Sequence, residues 1–169
     1  VVNAPKKDKL ETLAQLLGHV GNASGIVFCN FKDSIQYVSD FLHSKKISHT
    51  TFYGGMEQQE RERALIQFRN GTHRILLATD LAARGIDVPE LDYIIHYQLP
   101  PQEDAFIHRN GRTARMNAQG TAYILKWEKD ELYDFVKAET IKIEQDKVPF
   151  KGYWRTLYVS GGRKDKISK

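Results

Sequence analysis

Apolar positions along this chain switch repeatedly between two spacings. Over residues 6–20, Leu10, Leu13, Leu17 and Val20 recur at intervals of three, four and three, which puts them on one helical face. Residues 25–29 then form a short apolar run with no alternation, the pattern of a strand buried on both faces. Helical spacing returns over 33–45 through Ile35, Val38, Phe41 and Leu42, with Asp33 or Ser34 able to start the helix. A weakly alternating stretch, 48–53, predicts a second strand ending at Gly54-Gly55. Residues 57–69 predict a polar helix with Ala64, Leu65 and Phe68 inward. Residues 74–78, 93–97 and 121–126 predict three more strands, and 102–109 a short helix after Pro100-Pro101. Over 130–145, Leu132, Phe135, Val136 and Ile143 predict a last helix.

Strands alternating with helices imply an α/β fold: a five- or six-stranded, mostly parallel sheet covered on both faces. In such sheets ligands bind at the carboxyl ends of the strands. Asn30, Gly54-Gly55 and Thr79-Asp80 each follow directly on a predicted strand, so all should fall on one edge. His19 and His96 read as ordinary fold residues, and Cys29 as core.

Composition narrows the class. The chain has 169 residues, 41% hydrophobic and 27% charged, which fits one folded domain with a real core. No apolar run approaches the roughly 20 residues needed to span a bilayer, no signal peptide is visible at Val1, and a single cysteine excludes an internal disulfide. These features predict a cytoplasmic protein without a membrane partner. The net charge of +4 is unevenly placed: residues 151–169 carry +5 and residues 1–150 carry −1. A basic tail on a near-neutral core suits an anionic partner, or serves only as a solubilising end. Residues 149–155 read as a linker. Residues 156–160 read as a strand without partner elements after it, followed by Gly161-Gly162 and a basic stretch.

The chemistry concentrates at His108-Arg109-Asn110-Gly111-Arg112-Thr113-Ala114-Arg115. Three arginines in eight residues repel one another unless an anion lies among them. Guanidinium forks onto phosphate oxygens better than lysine does. The cluster therefore reads as facing a polyphosphate, or as a solvated basic helix end. The chain has no GxxxxGK[ST] phosphate loop and no DEAD or DExD carboxylates for magnesium. A phosphate-facing cluster without its own cradle suggests that the cradle lies elsewhere, with these arginines reaching it from a second lobe.

Five stretches resemble motifs of the DEAD-box RNA helicases, in order. Residues 25–30 resemble motif IV and Gln58-Gln59-Glu60-Arg61 resembles motif IVa. Thr79 to Asp87 resembles motif V (TDxxxRGxD), residues 93–100 the strand that follows it, and His108 to Arg115 motif VI (HRxGRxxR). The resemblance covers residues 1–148. It implies a RecA-like (P-loop NTPase-type) parallel sheet with helices on both faces, the helicase C-terminal lobe. It further implies that Arg112 and Arg115 act on the γ-phosphate side of ATP and that Gly85 and Asp87 meet the ribose. His108 and Arg109 would link to carboxylates of the N-terminal lobe. Gly54, Gly55, Arg61, Thr79 and Arg84 would hold RNA backbone, and Phe28 would pack under the motif VI arginines. Magnesium would be held mainly by the N-terminal lobe. Ala114 stands where the family usually has glycine, Met116-Asn117 replace a small residue and glycine, and Phe31 stands where Thr or Ser is common.

Residues 156–167 resemble the opening strand of the RRM-like domain in DbpA-type bacterial DEAD-box proteins. That implies a truncated RNA-binding domain over 156–169, ribosomal RNA as partner and ribosome assembly as process. The competing readings are a stand-alone nucleic-acid-binding module and a DNA-directed helicase lobe of another branch.

Overall fold

The structure is a computed structural model that describes residues 2–4, 9–84, 91–111, 121–127, 133–136, 141–142, 155–160 and 163–168. Its strands are β1 (Val2–Ala4), β2 (Gly25–Phe28), β3 (Thr50–Phe52), β4 (Ile75–Ala78), β5 (Tyr93–His96), β6 (Thr121–Trp127), β7 (Ile141–Lys142), β8 (Arg155–Ser160) and β9 (Arg163–Ser168). Its helices are α1 (Leu10–Val20), α2 (Lys32–Ser44), α3 (Gln58–Arg69), α4 (Asp80–Ala83) and α5 (Glu103–Asn110). The main sheet runs β3-β4-β2-β5-β6-β1-β7 and its pairings are parallel.

The apolar runs fix this sheet because both faces are covered. In β2, Ile26 and Phe28 point to one layer and Val27, with Cys29 just beyond the strand, to the other. On the first side Phe52, Ala64, Phe68, Ala82 and Ala83 bring in α3 and α4. On the second, Leu10, Leu13, Leu16 and Leu17 of α1 meet Ile35, Val38 and Leu42 of α2. Each fully buried leucine is worth roughly 1.5–3 kcal/mol of transfer free energy. Burial also pushes the Cys29 thiol up to about 12, so it stays protonated at neutral pH and acts as core.

The five predicted strands and four of the predicted helices are present, with ends moved by a few residues. The last predicted helix is not seen among the described residues of its stretch. Within 130–145, residues 133–136 form a turn and Ile141–Lys142 is a strand beside β1. Phe135 and Val136 are still half-buried, against Phe106 and Ile124. At these two positions the inward side chains were right and the backbone was not; Leu132 and Ile143 lie outside the described residues. The tail differs too: 156–160 does have a partner, because the basic stretch is itself a strand. β8 and β9 pair antiparallel, with Leu157 opposite Lys166 and Ser160 opposite Arg163. The predicted linker lies outside the described residues except for Arg155, which opens β8.

Gly25 is dictated by packing. It pairs with Tyr93 across β2 and β5, and a Cβ placed there would lie 2.3–2.4 Å from three atoms of the Tyr93 ring. That ring is 2% exposed, wedged between layers, and cannot swing out. Gly25→Ala should therefore destabilise the fold by about 1–3 kcal/mol or more, read as a lower urea midpoint, and Tyr93→Leu in the same chain should restore part of the loss.

Candidate polyanion-binding edge

After β1, which lies between β6 and β7, the chain crosses to the centre of the sheet at β2, runs out to β3, returns to β4, and only then crosses to β5. The carboxyl ends of β4, β2 and β5 thus surround the point where the strand order reverses, the usual ligand crevice of such sheets. Here the crevice is filled by the protein's own Arg109.

Arg109 sits in the last turn of α5 and is 1% exposed. Its Nε donates to Asp80 Oδ1 at 2.7 Å and its Nη2 to Asp80 Oδ2 at 2.8 Å, a two-pronged ion pair. Nη2 also donates to Asn30 Oδ1 at 2.6 Å. Nη1 donates to the Gln98 carbonyl at 2.7 Å and to His96 Nδ1 at 3.3 Å. A guanidinium has five N–H groups, and these five bonds use all of them. Its face lies 5.0 Å from the centroid of the Phe28 ring, the packing expected for a motif VI arginine.

The acceptors are braced in turn. The Asn30 backbone N–H donates to Gln98 Oε1 at 2.8 Å, and Asn30 Nδ2 donates to the Leu99 carbonyl at 3.2 Å. His96 Nε2 donates to Asn110 Oδ1 at 2.8 Å, which leaves Nδ1 as the acceptor for Arg109. Burial, reinforced by the Arg109 charge, pulls His96 down to about 3. The imidazole is thus neutral at physiological pH, as an acceptor facing guanidinium must be.

Arg109 departs from expectation here: the carboxylate it grips is Asp80 of its own chain, not one on another lobe. A side chain with no free N–H and almost no exposure positions its neighbours; it does not reach out. Asn30 and Asp80 were expected on this edge without a named partner, and Gln98 and His96 carried no assigned role in the sequence. The available signal was His96 itself, a polar side chain inside an apolar strand, which demands a buried partner.

The remaining predicted residues divide into two groups around this clamp. On the β3–β4 side, the Arg61 guanidinium lies 4.8 Å from the Phe52 ring centroid, and the Thr79 N–H donates to the Phe52 carbonyl at 3.4 Å. Two residues beyond Phe52 are Gly54 and Gly55, exposed, with open space where a Cβ would stand. Gly55 has φ +93°, a conformation that L side chains rarely adopt. Thr79 is half-buried at the start of α4 and makes no side-chain cap hydrogen bond. Bare backbone, a hydroxyl and a ring-supported guanidinium suit phosphate contacts that read no base. On the other side, exposed Arg84 and His108 line a shallow groove with Phe28, Asp80 and Arg109. Gly85, Asp87, Arg112 and Arg115 lie outside the described residues.

Two predictions follow from the clamp. Breaking one partner of a buried ion pair costs about 3–5 kcal/mol, so Asp80→Asn should lower the chemical-denaturation midpoint sharply. Arg109→Lys should do so as well, since an ammonium cannot fill the five-bond site. The second concerns pH. Folded His96 titrates below its ordinary value of 6.5 and the unfolded chain takes up the proton first. Its contribution is therefore complete above about pH 6.5 and is lost as pH falls toward about 3. Stability curves between those limits should flatten in His96→Gln, which keeps a neutral acceptor.

Comparison with known proteins gives the fold a family. Residues 8–117 match the family described as the helicase conserved C-terminal domain. The chain is 34% identical over 147 residues to the ATP-dependent RNA helicase FAL1 of Scheffersomyces stipitis, covering 85% of this chain and 37% of that protein. It is 38% identical over 122 residues to the ATP-dependent RNA helicase eIF4A of Mycosarcoma maydis, covering 72% and 30%. The chain thus spans about a third of the length of these relatives. Among solved structures, the E. coli DEAD-box protein SrmB is 31% identical with a TM-score of 0.69, covering 75% of each chain. The fungal relatives lend no support to the bacterial, DbpA-like origin implied by the tail. The chain belongs to the helicase conserved C-terminal domain family, as a C-terminal lobe of the DEAD-box type.

Proposed function

We propose that this lobe works in an ATP-dependent RNA helicase, gripping RNA backbone on one rim of its sheet and supplying arginines to ATP on the other. The observation that carries the reading is the Arg109 clamp. It consumes one arginine of the cluster and locks the end of α5 to the exits of β2, β4 and β5. Arg112 and Arg115 follow within six residues of that anchor. They are the side chains assigned to the γ-phosphate, with Gly85 and Asp87 assigned to the ribose.

Asp80 is committed to Arg109, so magnesium is assigned to carboxylates of the N-terminal lobe. ATP and RNA then draw the two lobes together. The RNA contacts fall to Arg61, Thr79, Arg84 and the open backbone at Gly54-Gly55. None of these reads a base, so the grip is sequence-independent. Ribosomal RNA and ribosome assembly are the finer reading; they rest on residues 156–167 alone, as does the assignment of 156–169 to a second RNA-binding domain. A cytoplasmic location belongs to the same proposal.

Finger arginines stabilise charge on a γ-phosphate that is already held and metal-bound. The isolated chain should therefore bind ATP weakly and hydrolyse none above background, with or without RNA. Joined to its N-terminal lobe it should become an RNA-stimulated ATPase. In the joined protein, Arg112→Ala or Arg115→Ala should lower turnover by about 10³-fold, and Arg112→Lys should rescue little. Arg61→Ala should weaken RNA binding and leave ATP binding nearly intact. Near-normal turnover in both finger variants would sink the mechanism, and stimulation by DNA equal to that by RNA would move the lobe to another helicase branch.

A further inference from the structure

Just beyond β2 stands an aromatic side chain that the fold does not use. Phe31 is 65% exposed and belongs to neither apolar layer of the sheet. It is also the residue that precedes α2, extended at φ −134° and ψ 151°, and it makes no side-chain cap hydrogen bond. Ser, Thr, Asp or Asn at such a position would cap an N–H of the first turn, which a phenyl ring cannot do. Neither capping nor core packing accounts for the ring. A lone exposed apolar side chain needs no explanation by itself, but this one stands on the candidate polyanion edge with a cation beside it.

Strand register puts it there. Phe28, Ala78 and Phe52 are level across β2, β4 and β3, so Phe31 leaves the sheet on the same edge as Thr79 and Gly54-Gly55. Lys32, next in the chain, holds its ammonium 5.2 Å from the centroid of the Tyr53 ring. The start of α2 thus reaches past the exit of β4 to the residue before Gly54. Tyr53 and Phe52 face opposite layers of the sheet, and Arg61 lies over Phe52. Two cations, one from each layer, therefore flank the bare Gly54-Gly55 backbone. A ring face fixes each cation without neutralising it. Asp33, the acid one position on, lines the cavity beside Asn30.

Cations that track a backbone, with an exposed aromatic beside them, are the means by which proteins hold single-stranded nucleic acid without reading its sequence. We propose that Phe31 is a stacking platform for one base of a single-stranded RNA and that Lys32 contacts a neighbouring phosphate. Together they extend the grip from the exit of β3 to that of β2. The inference rests on the reading of this edge as an RNA-backbone site and adds to it one contact with a base. Every base has a π-face, so the stack raises affinity and leaves the binding sequence-tolerant.

The test is fluorescence anisotropy of the 169-residue chain at low ionic strength, with a labelled single-stranded oligouridylate and with an abasic ribose-phosphate strand of the same length. The abasic strand should bind about tenfold more weakly, the order expected for one lost base–aromatic stack. Phe31→Ala should abolish that difference by weakening the oligouridylate and leaving the abasic strand unchanged, and Phe31→Trp should restore it. Phe31→Thr should act on RNA as Phe31→Ala does while raising the urea midpoint, because it supplies the missing cap. Lys32→Ala should weaken both strands alike and lower the salt slope by roughly 0.7. Equal binding of the two strands, with Arg61→Ala weakening both, would overturn the stack and leave the backbone reading standing. Binding of neither strand, or indifference of both to Arg61→Ala and Lys32→Ala, would overturn the backbone reading and this proposal with it. A lowered urea midpoint in Phe31→Thr would make the ring a structural contact, and a base preference that survives Phe31→Ala would put the stack on another residue; either result overturns the proposal.

Discussion

Taking a guanidinium out of water costs several kcal/mol unless its charge and every N–H are met. Arg109 satisfies that condition only because separate segments converge on it. Asp80 comes from the exit of β4, Asn30 from the exit of β2, His96 and Gln98 from the end of β5, and the arginine itself from α5. The segments lie up to 79 positions apart in the chain. The network therefore exists only when the sheet is correctly assembled, and a partly assembled version would be worse than an apolar one. That makes it a device for uniqueness more than for raw stability.

Its location also decides where ligands can go. The crevice at the reversal of strand order is normally the ligand's place, and here it is occupied from within. What remains is the two rims. One carries Arg61 on Phe52, Thr79 and the bare Gly54-Gly55 backbone. The other carries exposed Arg84 and His108 beside the shallow groove over Phe28 and Asp80. The central arginine lies between them, with the Phe28 ring against its face.

Much of the sheet could be read from the chain because its strands are buried on both faces, and Ile26–Cys29 or Ile75–Ala78 have few alternatives. The helices were legible where apolar spacing ran for three turns, as in α1, whose last residue is Val20 as the spacing has it although its first is Leu10. The turn at 133–136, where a helix was expected, has a physical reason. Apolar spacing reports which side chains are inside, and a turn can bury Phe135 and Val136 against Phe106 as well as a helix can. β1 was invisible because three residues, Val2–Ala4, are too few to show a period. The site was legible as a motif and not as a circuit. Arg109 and Arg112 look alike in sequence, and nothing in their spacing says that one is spent on Asp80. Likewise His96 looked like filler, because its partners are Arg109 and Asn110 on a different element.

The saturation of Arg109 has a thermodynamic consequence for any polyanion that docks on this lobe. Salt dependence counts the cations that displace condensed counterions from phosphates. A guanidinium sealed at 1% exposure, with its charge matched by Asp80, displaces none. Of the arginines in the cluster and along the edge, it adds shape without adding to the electrostatic footprint. The formal tally of basic residues therefore overstates how strongly ionic strength governs the encounter, and part of what looks like a phosphate-seeking charge in the sequence is mortar.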